Sequence, residues 1–253
     1  MISVTESQLL AWLTPVIWPF LRALALLASL PVFSQRSVPM RVKVGLALFI
    51  ALAAQASLPA MPQLPLDSPQ AAAAVLQQVL VGVALGFAVR VVFAAVELGG
   101  ELIGLQMGLN FAGFFDPVTA SQGTATARFF GTIVGFLFVL INGHLAIIAA
   151  LVHSFEMFPV GGDPLEFLRQ ARPQRWGAEV FALGLWIALP LVGMLLFVNL
   201  VLGVISRVAP QISIFSVGFP LTLSVGLIGM LLTLPLMDQP FTMALERMLA
   251  HFR

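Results

Sequence analysis

Six apolar stretches, at residues 9–33, 42–58, 71–98, 129–158, 178–202 and 212–237, take up most of this 253-residue chain. Each is close to or beyond the roughly 20 residues that a helix needs to cross a bilayer. Hydrocarbon offers no water to backbone N–H and C=O groups, so runs of this length are expected to be helical. A seventh apolar piece, 101–115, is too short to cross alone. Composition agrees: 60% of residues are apolar, 9% are charged, and mean hydropathy is +1.03. An ordinary soluble domain carries about 25% charge. Twelve basic and eleven acidic residues cannot cover a water-soluble globule of this length. That excludes a soluble enzyme and a disordered chain. A net charge of +1 gives no basic field for nucleic acid. Cysteine is absent, so disulfides and thiolate metal sites are excluded.

The ends of the apolar runs carry topological information. Residues 1–8 hold Glu6 and no Lys or Arg, and the first apolar run is too long for a signal peptide core, so it reads as an uncleaved span. Pro59, Pro62, Pro65 and Pro69 predict a stiff extended connection. Arg36, Arg41 and Lys43 place the first loop on the cytoplasmic side. Six straight spans then put Arg169, Arg172 and Arg175 outside, against the same rule. Either 101–115 is re-entrant and changes the parity, or some helices do not cross. Residues 129–158 span roughly 45 Å as one helix, more than the hydrocarbon layer, and must tilt, kink or protrude.

Small residues recur one helical turn apart. Gly82 and Gly86 form one GxxxG, Gly100, Gly104 and Gly108 a double one, and Gly131 and Gly135 a third. Such spacing lets another backbone approach closely, within this chain or from another subunit.

The most unusual segment is GGELIGLQMGLNFAGFFDP, residues 99–117. Asn110, Gly113 and Asp116-Pro117 favour irregular backbone. Met107, Leu109, Phe111, Phe114 and Phe115 make it strongly apolar. Irregular backbone at membrane depth is tolerated only inside protein or along a cavity. The segment is therefore either an apolar plug in a pore or an aromatic-rich interface turn.

Arg22, Arg90, Glu97 and Glu101 fall in or beside spans, where a charge needs a partner or water. They form an ion relay or serve as internal polar contacts. His144 and His153 do not share a helical face, so no metal site is expected. No GxSxG and no phosphate loop occurs. The chain is read as non-enzymatic and cofactor-free. Arg207, Pro210 and Gln211 mark the tip of a hairpin formed by the last two spans. They are a capped turn, a docking point or part of a channel mouth. The tail 238–253 has the pattern of an amphipathic helix.

Several blocks resemble a known family. They are SLPVFSQRSVPMRVKVGLAL (29–48), LVGVALGF (80–87), GELIGLQMGLNFAGFFDP (100–117), LINGH (140–144), FPVGG (158–162) and RVAPQISIFSVGFPLTL (207–223). Together they resemble the R-type (or T-type) subunit of the type III secretion export gate, its flagellar branch more than its injectisome branch. The resemblance implies an all-α membrane protein, with about six long apolar helices in kinked hairpins and a short re-entrant or plug segment. It implies one integral-membrane domain over 1–253. Within it lie a P-like part over about 1–175, a Q-like hairpin over about 178–237 and a short tail. It implies assembly with P-type and Q-type membrane subunits and contact with a B-type switch subunit. The assembly would sit in the bacterial inner membrane at the flagellar basal body and pass unfolded export substrates. The family's pore plug maps onto Leu109 to Phe115, with Phe111, Phe114 and Phe115 as the stopper and Met107 beside it. A secondary transporter of small solutes is the alternative that interrupted helices and intramembrane charges allow.

Overall fold

The computed structural model describes residues 6–34, 38–65, 67–109, 124–209 and 217–252. Among them the regular structure is helical. Nine α-helices follow one another: α1 Glu6–Ser29, α2 Met40–Ala54, α3 Pro69–Gln106, α4 Ala125–Leu140, α5 Gly143–Met157, α6 Glu166–Ala171, α7 Trp176–Val208, α8 Phe219–Thr233 and α9 Asp238–Leu249. Five helical stretches are long and apolar enough to cross a membrane, or six if α4 and α5 count as one broken span.

Local chemistry explains where these helices begin and end. Ser68 caps α3 by accepting the Ala71 N–H at 3.2 Å, and Pro69 occupies the first helical position, where an N–H is not needed. Residues 58–65, with their prolines, hold no helix. Thr124 caps α4 by accepting the Ala127 N–H at 3.1 Å. The long run 129–158 is broken: α4 ends at Leu140, and Asn142 sits in the left-handed region at φ 57 before α5 begins. Asparagine tolerates that conformation better than other side chains that carry a Cβ. Pro190 stands inside α7 and removes one backbone donor there.

One expectation is corrected. The run 71–98 and the start of 101–115 are not separate pieces, because α3 continues unbroken through Gly99 and Gly100 to Gln106; residues 110–115 lie outside the described residues. A paired glycine weakens an isolated helix. Here both glycines are buried in contacts that a β-carbon would obstruct. A β-carbon at Gly99 would lie 3.1 Å from the Gly184 carbonyl oxygen, and one at Gly100 would lie 2.6 Å from the Phe130 ring.

The chain divides into two compact units. The first comprises the described residues of Met1–Arg90, Asn142–Trp176 and Leu245–Arg253. Its interior includes Trp18 against Ala71 and Ala74, flanked by Ile17, Leu21, Met61, Leu64 and Val160. A second aromatic group forms where Trp176 stacks on Phe87 and meets His251 and Phe252. The second unit comprises the described residues of Val91–Ile141 and Gly177–Ala244. There the Phe93 ring takes Phe138 and Phe241 edge-on, with centroids 5.7 and 5.9 Å away. α9 is amphipathic, burying Phe241, Leu245, Met248 and Leu249 and exposing Met243 and Glu246.

Candidate functional site

Glycines let α3 approach a different neighbour at each stage of its length. A β-carbon at Gly82 would overlap the Arg22 carbonyl oxygen of α1 and lie 2.8 Å from the Ala25 side chain. One at Gly86 would collide with Ser29. In the second unit Gly104 faces Thr126 of α4, and Gly131 of α4 in turn faces Glu97, whose Oε1 would lie 2.9 Å from an added β-carbon. Gly135 meets nothing within 4 Å. Gly108 has another task. Its φ is 80, the Leu109 N–H bonds the Gly104 carbonyl at 3.0 Å, and the Gly108 N–H bonds Leu105 at 3.1 Å. That pair of bonds is a Schellman stop, which requires a left-handed residue.

The helix therefore ends at Gln106, ahead of the phenylalanine-rich stretch that begins at Phe111. Met107, the last residue before the stop, is fully buried, and its Cγ, Sδ and Cε lie 2.6–2.7 Å from where a β-carbon on Gly226 of α8 would stand. It packs inside its own unit. Leu109 is half-buried. Asn110, Phe111, Gly113, Phe114 and Phe115 lie outside the described residues, and the next described residue is Thr124, the cap of α4. At the hairpin tip, Arg207 is exposed in the last turn of α7, where a cation complements the helix dipole. Pro210 and Gln211 lie outside the described residues.

The four intramembrane charges differ in their surroundings. Arg90 and Glu97 are exposed on α3, and Glu101 is half-buried. Arg22 is fully buried. Its Nε donates to Gln78 Oε1, one terminal nitrogen donates to Ser154 Oγ and the other to the Phe158 carbonyl, each at 2.8 Å. The Phe155 ring lies 3.6 Å from the guanidinium carbon. The preceding residue of α3, Gln77, donates to the Pro159 carbonyl at 3.0 Å and accepts the Gly161 N–H at 3.2 Å. Gln78 donates to Gln77 at 3.1 Å and joins the two. One polar network thus ties α1, α3, α5 and the turn 158–162.

Sequence reasoning singled out Arg22 and missed Gln77, Gln78 and Ser154. Two adjacent glutamines inside an apolar helix were the available signal, because amides inside a span need partners. Among the described residues no group of three His, Asp or Glu comes together as metal ligands. Among the described residues Arg169 pairs with Asp163 at the surface, and the His153 ring stands 3.6 Å from the Glu156 carboxylate.

Known sequences resemble this chain over most of its length. The family model described as bacterial export proteins, family 1, matches residues 13–248. The chain is 47% identical over 236 residues to the flagellar biosynthetic protein FliR of Escherichia coli strain K12, covering 93% of this chain and 90% of that relative. It is 42% identical over 244 residues to FliR of Pectobacterium carotovorum, covering 95% and 92%. It is 30% identical over 215 residues to FliR of Bacillus subtilis strain 168, covering 83% and 82%.

Proposed function

This chain belongs to the bacterial export proteins, family 1, and from that premise we propose that it is a non-enzymatic subunit of the flagellar type III secretion export gate. Its work is to complete the pore through which unfolded flagellar proteins pass and to plug that pore when no substrate is present. The observation that carries this reading is the breadth of the likeness: relatives named flagellar biosynthetic protein FliR align over nine-tenths of the chain.

Three features support the plug. α3 stops at Gly108 and α4 starts after Thr124, so the phenylalanine-rich stretch falls between these two helices in the chain. That chain carries Phe111, Phe114 and Phe115 and only one charge before Pro117, Asp116. A hydrophobic constriction of this kind closes a channel by excluding water. Met107, buried against Gly226, anchors the N-terminal side of the segment.

The proposed partners are the P-type and Q-type membrane subunits, the B-type switch subunit and the unfolded substrates. The P-like part covers about 1–175, and α7 with α8 form the Q-like hairpin. The proposed setting is the bacterial inner membrane at the flagellar basal body. The apolar helices suit that setting: only 17% of the α7 apolar window is buried within the chain, so most of it is free for lipid or other subunits. The family match favours this reading over a solute transporter.

Affinity purification of the tagged chain from its own cell membranes, followed by native mass spectrometry, tests the assembly. A hetero-oligomer with P-type and Q-type subunits is expected. A stable solitary chain that carries a solute after reconstitution overturns the reading.

A further inference from the structure

Among the described residues Arg22 is the only charged side chain that is fully buried, and no carboxylate stands within ion-pairing distance of it. All three of its hydrogen-bond acceptors are neutral oxygens, contributed by α3, α5 and the turn after α5. Removing a cation from water onto neutral oxygens is a poor source of net stability, and apolar residues of similar volume often serve as well. A planar guanidinium is, however, a rigid fork that fixes several acceptors in set directions at once.

The place it fixes is specific. Arg22 holds the Phe158 carbonyl, and through Gln78 it orients Gln77, which grips Pro159 and Gly161. Gly161 is at φ 90, a left-handed conformation open to glycine, and its N–H bond to Gln77 ties the turn to α3. The same turn, through Pro159 and Val160, lines an apolar cavity whose other wall is Pro59 to Pro62.

We propose that Arg22 is a positioning residue that sets the 158–162 turn against α1 and α3 and adds little to net stability. This inference does not rest on the gate reading, because none of its readouts involves export. Its test uses the full chain in its native membrane assembly, comparing Gln78→Leu, Arg22→Met and the double variant. Two quantities are read: the thermal unfolding midpoint and amide hydrogen exchange over residues 158–162.

Gln78→Leu strands one guanidinium donor and is expected to lower the midpoint by about 10 °C. The double variant removes the stranded charge, and its midpoint returns to within about 3 °C of the parent. Exchange at 158–162 nevertheless stays about tenfold faster than in the parent in both variants that lack Arg22. Arg22→Lys, a point charge without the fork, leaves exchange fast as well. A double variant that is no more stable than Gln78→Leu overturns the proposal. So does parent-like exchange at 158–162 in Arg22→Met, or failure of the double variant to accumulate.

Discussion

At Gly82 and Gly86 the backbones of α1 and α3 run so close that no β-carbon fits between them. At Gly135 the space is open. The two kinds of glycine share a spacing motif and separate only in three dimensions. Gly82→Leu therefore forces α1 away from α3 and is expected to cost about 1–3 kcal/mol of stability. Gly135→Leu is expected to change the stability of the isolated chain by no more than about 0.5 kcal/mol. Thermal unfolding of the two purified variants in detergent checks both, and equal losses would contradict the packing assigned here. The GxxxG spacing was legible in the sequence, but the neighbour each glycine serves was not. Gly108 shows the limit most clearly. It falls on the same spacing, yet its task is a left-handed helix stop, which depends on hydrogen bonds to Gly104 and Leu105. The Arg22 partners were hidden for a related reason: Gln78 and Ser154 lie 56 and 132 residues away in the chain.

At the scale of elements, the positions of the apolar helices followed from run length and the proline-rich connection. Their continuity did not. α3 runs on through Gly99 and Gly100 because Gly184 and Phe130 occupy the space beside them. Tertiary contact there overrides weak local propensity. The opposite holds at Asn142, where an apolar run too long for one straight span is broken by a single left-handed residue. The excess length was visible beforehand, and the break site was hinted at only by Asn142-Gly143. Asn142→Gly is expected to be neutral or slightly stabilising. Asn142→Val is expected to cost about 1–2 kcal/mol, because a β-branched side chain is poorly tolerated at positive φ. Unfolding midpoints of the pair measure this. Equal tolerance of Val and Gly would show that the break is set elsewhere.

At the scale of the whole molecule, large apolar side chains such as Phe181, Trp186, Phe197, Leu231 and Leu232 stand exposed. On a water-soluble protein that much apolar surface is an interaction site. On a chain with five or six membrane-length apolar helices it is surface suited to lipid. Composition alone made the membrane class legible, and the family resemblance supplied the gate. The proposed seal is carried by sequence between Gly108 and Thr124 that includes Phe111, Phe114 and Phe115. If the chain is a plugged export-gate subunit, that segment can be removed without removing the gate. The most direct measurement deletes residues 110–115 in the otherwise intact assembly and records ion leakage across the membrane together with export of a natural flagellar substrate. The account predicts leakage with export retained. An ion-tight membrane in which export is lost would contradict it, and would make the segment a packing element of the fold.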